Sequence, residues 1–380
     1  MNNGVWRRRE FAMGLAALAG TSAVRAQSDE RIVLGQSAPL SGPAAQLGIQ
    51  FYQGAKLWFD QFNAQGGVGR STVELRVLDD GYEPARCAQN TRQLIDEGAF
   101  ALFGYIGTPT SLAALPLVTQ AKVPFFAPFT GADALRTPFN RQVFHVRASY
   151  HQETALIVGQ LTHLGLEKVA VFHQNDSYGQ AGLDGVGRAL AAKKLQPVAQ
   201  ATVERNSLDV GAAVRTILAT KPDAVVQIST YASSAAFVRE ARKAGYGGTF
   251  HNVSFVGTQA LANALGKDAA GVVVSQVVPS PFQPTQQLTR EFLESIKLGG
   301  HKVQPNYSSL EGYLAARVFT EGLRRAQATA GKITRDALIA GLESIQSPVA
   351  GFPVAFSPTD HSGSRFVELS MLTSDGRVRT

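Results

Sequence analysis

Cysteine is almost absent. Cys87 is the only one in 380 residues, so no intramolecular disulfide can form, even in an oxidising compartment that would permit one. A metal or nucleophile role would need partners that the sequence does not set beside it, which leaves a small, partly buried thiol. No apolar run approaches the ~20 residues that a membrane-spanning helix requires. Lys and Arg form no block and do not interleave with aromatics, so nucleic-acid binding has little to rest on. The motifs of covalent and metal catalysis are missing too: there is no G-x-S-x-G elbow, H-E-x-x-H, Walker A loop or C-x-x-C. The nearest glycine pattern, Gly182-Leu-Asp-Gly185-Val-Gly187, has the wrong order for a dinucleotide loop and lies in a helical stretch. Of the seven histidines, only His151 stands at a metal-like spacing, from Glu153, and both open a helix where a surface position is expected. Asp79 and Asp80 could do acid/base work as a pair. They end a strand and enter "GYEPARC", however, where Asp favours turns and helix caps. These absences argue against an enzyme and against a resident metal or cofactor.

What is present begins with an export signal. The stretch "WRRREFAMGLAALAGTSAVRA" carries an arginine cluster, a short apolar run from Phe11 to Leu18, and Val24-Arg25-Ala26 as a small-residue cleavage site. It reads as a signal peptide over residues 1–26, cut after Ala26. Arg8-Arg9-Glu10-Phe11 resembles a twin-arginine signal, and a Sec signal with a basic start fits as well. Its removal takes four arginines and one glutamate, lowering the net charge from +7 to +4. With 44% apolar and 17% charged residues, the rest is long enough for two globular domains.

After Gln27 one unit repeats: a short β-branched run, a loop of small residues, then an amphipathic helix-length segment. Strands are expected at Ile32 to Gly35, Val73 to Leu78, Ala99 to Phe103, Val123 to Ala127, Lys168 to His173, Pro197 to Thr202, Ala224 to Ile228 and Gly271 to Val277, and a helix at Ile49 to Asn63. Such alternation implies mostly parallel sheets with helices on both faces. The series restarts after residue 148 with a helix expected over Ala148 to Leu164. The expected fold is therefore α/β, with two doubly wound Rossmann-like lobes. Lobe 1 takes residues 27–147 and 276–354, and lobe 2 takes 148–275 and 355–380. Hinge strands are expected near His145 to Ala148, Ser275 to Pro279 and Val354 to Phe356.

Ligands of open α/β sheets sit beyond the carboxyl ends of the strands, where helix N-termini present free N–H groups. The segment "ALFGYIGTPTSLAALPLVTQAKVPFFAPFTGADALR" twice runs a buried strand into donor-rich small residues. Thr108, Thr110 and Ser111 precede a helix expected to start near Leu112, and Phe129-Thr130-Gly131 follows the next strand. Both loops suit a carboxylate, although the same hydroxyls could merely cap helices. Tyr150, Tyr178 and Tyr231 open or flank predicted segments, where aromatics more often pack than line a ligand.

Four blocks in order carry a family resemblance: "IVLGQSAPLSGPAAQLGIQFYQGAKLWFDQFNAQGGVGR", "DDGYEPARCAQNTRQLID", "VFHQNDSYGQAGLDGV" and "AAFVREARKAGY". Together they resemble the periplasmic leucine/isoleucine/valine-binding proteins, type I solute-binding proteins of ABC importers, from about Ile32 to about Phe356. The resemblance implies the type I periplasmic binding protein fold and a small-molecule carboxylate ligand held by Thr108 to Ser111 and by Phe129 to Gly131. It places Leu47 as an apolar wall and Tyr150, Tyr178 and Tyr231 toward the cleft. It further implies a partner ABC permease in the inner membrane, a periplasmic location, a monomer, and no cofactor. A periplasmic sensor serving a signalling partner is the alternative. One departure stands out: where amino-acid binders of the family carry an acid for the ligand's ammonium, "HNVSFVGTQAL" offers Phe255 or Ser254. A buried, unpaired ammonium costs several kcal/mol, so an amine-free aromatic or aliphatic acid is as well suited as a branched amino acid. Asp176 or Glu153 would restore the missing charge if either reached the cleft.

Overall fold

The computed structural model describes residue 1, residues 31–299 and residues 302–380. The export signal expected over residues 1–26, apart from Met1, lies outside the described residues. The first sheet contains β1 (Arg31–Ala38), β2 (Thr72–Asp79), β3 (Ala101–Phe103), β4 (Phe125–Phe126) and β5 (Val143–Phe144), all parallel in the order β2-β1-β3-β4-β5. Its crossovers are α1 (Ala45–Ala64), α2 (Pro84–Asp96) and α3 (Thr108–Ala121). The second series runs α4 (Tyr150–His163), β6 (Val169–Gln174), α5 (Ser177–Ala191), β7 (Ala199–Val203), α6 (Gly211–Leu218) and β8 (Ala224–Ile228). It continues through α7 (Tyr231–Lys243), β9 (Thr249–Asn252), α8 (Thr258–Leu265) and β10 (Val272–Gln276). The chain then forms α9 (Gln287–Leu298), α10 (Tyr307–Ala330) and α11 (Arg335–Glu343) and ends in β11 (Glu368–Leu372) and β12 (Val378–Arg379).

Successive strand residues point to opposite faces, and the two faces of each sheet bury separate sets of side chains. In the first sheet Ala101 and Phe103 join the core beneath α1 and α10, whereas Leu102 packs with Leu94 of α2 and Val118 of α3. In the second sheet Val169 and Val171 face the core of α4 and α5, and Ala170 and Phe172 face that of α6, α7 and α8. Both sheets are thus covered on both sides, which is why β6 and β8 are buried at every position. The second sheet extends beyond its parallel part, since β11 and β12 add antiparallel strands to the β10 edge.

The chain passes between the sheets after β5, after β10, and before β11. Residues 355–363 still run beside the first sheet: Gly363 N–H donates to His145 O at 2.7 Å, and the His361 ring stacks on Phe144 at 3.6 Å between centroids. The last crossing therefore falls between Gly363 and Glu368, so the boundary expected after Val354 lies inside this run. Two helices that border the crossings have side-chain caps that fix where they start. Ser149 and Gln152 form a capping box on α4, and Asn306 and Ser309 form one on α10.

The glycine cluster of α5 is a packing device. A Cβ on Gly182 would lie 2.3 Å from Ile228 Cγ2 of β8, and one on Gly185 would lie 2.5 Å from Thr154 Oγ1 of α4. Gly182→Ala should therefore lower stability by about 1–3 kcal/mol through overpacking, despite a gain of up to ~1 kcal/mol in helix propensity. Urea unfolding measures it, and an unchanged midpoint would mean that Ile228 moves aside freely.

Candidate ligand-binding site

The two donor-rich loops meet. The helix expected near Leu112 starts at Thr108, so Thr108, Thr110 and Ser111 form its first turn instead of a preceding loop. First-turn N–H groups have no acceptor inside the helix. Gly107 makes this start possible, with φ of +96°, and the Tyr82 ring occupies the space where its Cβ would project. Thr108 Oγ1 lies 2.7 Å from Thr130 Oγ1, and Thr130 Oγ1 in turn donates to Tyr150 OH at 3.3 Å. The Ser111 hydroxyl is buried with no hydrogen-bond partner. Thr110 differs, because its hydroxyl turns back onto the carbonyls of Ile106 and Gly107 and is consumed by the helix start.

Aromatic rings from both lobes close over this hydroxyl group. Phe255 lies 4.6 Å from Tyr178, 5.6 Å from Phe129 and 6.0 Å from Tyr82, centroid to centroid, and Tyr150 stands 5.5 Å from Tyr178. All five are buried, and burial pushes the Tyr150 and Tyr178 phenols up, so both stay protonated. The Tyr178 hydroxyl has no hydrogen-bond partner. Leu47 is buried in the first turn of α1, and its Cδ2 sits 2.4 Å from where Gly257 of the second lobe would carry a Cβ. Tyr231 is only half-buried and stands at the rim, its hydroxyl accepting from Gln46 N–H at 3.5 Å.

Arg147, Glu311 and Glu153 are buried together at the crossing. Arg147, between β5 and α4, places its guanidinium 4.5 Å from the Phe129 ring centre and its Nε 3.1 Å from Glu311 Oε1 of α10. Its Nη2 donates to Ser254 Oγ of the second lobe, while Nη1 has no hydrogen-bond partner. Glu153 of α4 accepts from Ser254 N–H at 2.7 Å and from Ser275 Oγ at 2.6 Å through Oε2, and its Oε1 has no partner. Burial raises the Glu311 carboxyl to about 7, with Arg147 pulling it down and Glu153 pushing it up. The surface position expected for Glu153 is thus corrected: as the fourth residue of a capped helix it points into the molecule, where the Ser254 N–H needs an acceptor. Asp176, the other acid considered for the ligand's ammonium, caps α5 through Tyr178 N–H and Gly179 N–H and lies 3.4 Å from Arg205.

The rim is polar. Arg205 pairs with Glu83 at 2.9 Å, Asn206 Nδ2 donates to Gly81 O and to Glu83, and Gln174 Nε2 donates to Tyr82 OH at 3.4 Å. Asp79 and Asp80 build the turn from which Gly81, Tyr82 and Glu83 reach across. Asp79 accepts from Leu40 N–H and Gly81 N–H, and Asp80 from Tyr82 N–H and Ser37 Oγ. Burial works against ionisation of Asp79, but the bonds from Ser41, Leu40 and Gly81 together with Arg86 hold it down at about 2. Asp80 is more deeply buried, and desolvation raises it to about 6.

Arg147, Glu311 and Tyr82 were not singled out from the sequence. Their signal is slight: Arg147 and Glu311 are lone charges among small and apolar neighbours, "FHVRASY" and "SSLEGYLAA", and Tyr82 follows a positive-φ glycine. Cys87, expected as partly buried, is fully buried, and burial pushes its thiol well up. Among the described residues no three of His, Cys, Asp and Glu stand where they could share a metal ion, and no helix is long and apolar enough to cross a membrane.

Two doubly wound lobes that close over a buried aromatic and hydroxyl-lined interior define a class of proteins that take up a small solute between domains. The chain belongs to the periplasmic binding protein family, whose model matches residues 31–377. It is 26% identical over 391 residues to Leu/Ile/Val-binding protein homolog 7 of Brucella abortus (strain 2308), covering 97% of this chain and 95% of that protein. A possible leucine/isoleucine/valine-binding protein from Rhodopirellula baltica SH 1 shares the fold at a TM-score of 0.88 and 34% identity, over 92% of this chain and 96% of its own. A substrate-binding periplasmic protein from Ralstonia solanacearum does so at 0.85 and 31%, over 91% and 99%. The family is one of solute-binding proteins and not of enzymes, and it implies a periplasmic location.

Asp80 gives this site a checkable pH signature. Its folded value of about 6 lies above the ordinary carboxylate value of 3.8, so its stabilising contribution is full below about 4 and is lost as pH rises through about 6. Asp80→Asn should therefore gain on the parent by about 1–3 kcal/mol between pH 4 and pH 7. Parallel urea melts at the two pH values read the difference, and a gap that does not change with pH would place the Asp80 carboxyl in solvent.

Proposed function

We propose that this chain is the exported solute receptor of an ABC importer, closing its lobes over a small carboxylate and handing it to a permease in the inner membrane. Export by the segment cut after Ala26, and action as a monomer in the periplasm, belong to the same reading. So do the lobe limits, with lobe 1 from residues 27–147 and 276–354 and lobe 2 from the remainder, save that residues 355–363 stay with lobe 1. No bond is made or broken, and binding shifts an open/closed equilibrium.

The observation that carries the reading is the buried meeting of Thr108, Thr130 and Ser111 at the start of α3. Hydroxyl donors at a helix N-terminus suit a carboxylate by both geometry and dipole. Leu47, Phe129, Tyr150, Tyr178 and Phe255 form the walls in this reading, and Tyr231 acts at the rim. Thr110 serves only the helix. For the ligand's body we favour an apolar or aromatic acid without the amine. Phe255 puts a ring where an ammonium would need an acid, and Glu153, which does reach that loop, already spends one oxygen on Ser254 and Ser275 and faces Arg147.

A thermal-shift panel on residues 27–380, freed of bound solute by unfolding and refolding, pairs α-amino acids with the same skeletons lacking the amine. A matched ligand at ~100 times its Kd adds ~2.7 kcal/mol. Stabilisation by the amine-free acids alone is expected, and stabilisation by amino acids would reassign Glu153 to the ammonium. With the ligand so found, Thr108→Ala should weaken binding by about 1–3 kcal/mol, the usual worth of a charge-assisted hydrogen bond. Unchanged affinity by calorimetry removes Thr108 from the site.

A further inference from the structure

The interior of the closed cleft has an unbalanced set of charges. Arg147 is fully buried, and two buried carboxyl groups face it, Glu311 from α10 and Glu153 from α4. Arg136, largely buried beside it, donates to Arg147 O and Ala148 O and is spent on those carbonyls and on Ser362. The phenols of Tyr150 and Tyr178 also face Arg147 and are held protonated by burial. Several charges on the elements packed against α10 have partners elsewhere. Lys56 and Asp60 of α1 bind each other at 2.7 Å, Glu291 of α9 pairs with Arg317, and Asp336 and Glu343 of α11 lie within 3.6 Å of Arg141. With both glutamates ionised, the buried trio carries one net negative charge. Arg147 lies beside Phe129, one residue from Thr130, so a carboxylate held by the Thr108 and Thr130 hydroxyls adds a third anion near the same guanidinium.

Resting on the reading above, in which a carboxylate is captured at Thr108 and Thr130, we infer that Glu311 takes up a proton from solvent when an amine-free acid binds. The ligand thereby replaces Glu311 as the counter-charge of Arg147, and the site selects acids that carry no ammonium. The proton moves from bulk water to a Glu311 carboxylate oxygen, and no other bond changes. Two features of the site favour Glu311 over Glu153 as the group that yields. Glu153 is held as an acceptor by Ser254 N–H and Ser275 Oγ. Glu311 has only the ion pair with Arg147, at 3.1 Å and without a hydrogen bond to Arg147 Nε. Burial already raises its carboxyl to about 7, and an added anion pushes it further in the same direction. A zwitterion would bring its own positive charge and leave Glu311 as it is.

The test is isothermal calorimetry of the full mature chain with benzoate, phenylacetate, 4-methylpentanoate and leucine at pH 8, in two buffers of different ionisation enthalpy. For the amine-free acid that binds, uptake of close to one proton is expected, with Kd rising about tenfold from pH 8 to pH 9. Glu311→Gln should abolish the uptake and flatten the pH dependence. Binding of an acid with no proton uptake, or uptake that survives in Glu311→Gln, overturns this inference and leaves the carboxylate site standing. Binding of leucine alone overturns the preference for an amine-free acid and the inference with it, and binding of none of the four overturns the reading on which both rest. Should Glu311→Gln not fold, Glu311→Asp, whose shorter side chain draws back from Arg147, is expected to move the midpoint of the pH dependence. An unmoved midpoint would assign the proton to another group.

Discussion

A guanidinium cannot stay charged away from water without a partner, and Arg147 is charged, buried, and placed where the chain leaves the first lobe for the second. Everything about the cleft has to accommodate it. Glu311 answers it from the first lobe and Ser254 from the second, so one side chain ties α10, the crossing segment and the loop after β9 into a single arrangement. Removing one member of such a set leaves a buried charge uncompensated, which is far costlier than the pair is stabilising. The aromatic ring of Phe129 beneath Arg147 softens that cost by cation–π attraction while bringing Arg147 beside the Thr130 loop. The same constraint that holds the lobes in register therefore supplies the field in which an anion would be judged.

Around this charge the site divides labour in a way that follows from chemistry. Hydroxyls and a helix start sit on the first lobe, where Thr108 and Thr130 already bond to each other and so are ordered before any ligand arrives. Rings sit mostly on the second lobe, where Tyr178 and Phe255 cover that polar floor. Ordering donors in advance reduces the entropy lost on binding. Ser111 Oγ and Tyr178 OH have no hydrogen-bond partner among the protein's own groups, and an acceptor from a ligand would supply one.

Much of the fold was legible because its signals are local and repeated. Apolar β-branched runs such as "KVAVFH" are buried on both faces of a parallel sheet and stand out as continuous, and the Ser149 to Gln152 cap lies within two residues of the expected helix start. The antiparallel strands β11 and β12 left no such trace, since they cover a sheet edge and are half exposed. The hydroxyl loops could be read because their chemistry is written in consecutive residues, although Thr108 proved to begin the helix and not to precede it. The Arg147, Glu311 and Tyr82 set could not be read in the same way. Its members are 65 to 229 positions apart, and only the closing of two lobes makes a lone charge in an apolar helix meaningful. Glu153 illustrates the limit most sharply. Its helical position was clear, yet whether it faced solvent or the cleft depended on a backbone N–H about a hundred residues away.

Closure itself needs a driving force, and the rim does not supply it. Arg205 with Glu83 is partly exposed, and such pairs contribute roughly 0–1 kcal/mol. The Gln46 to Tyr231 and Gln174 to Tyr82 contacts are long hydrogen bonds at 3.5 and 3.4 Å. Against them stand the unpartnered buried atoms inside, each costing about 1–3 kcal/mol. An open/closed equilibrium set by weak rim contacts on one side and unsatisfied groups on the other depends on what a ligand adds. Moving such a balance from mostly open to mostly closed takes about 5.5 kcal/mol of differential affinity. A ligand that bonded to Ser111 and Tyr178, lay against the rings and answered Arg147 would have interactions of that order to give, and would give them only when both lobes were in contact with it. The signal passed to a partner would then be closure itself, conditional on a solute whose charge the buried trio accepts.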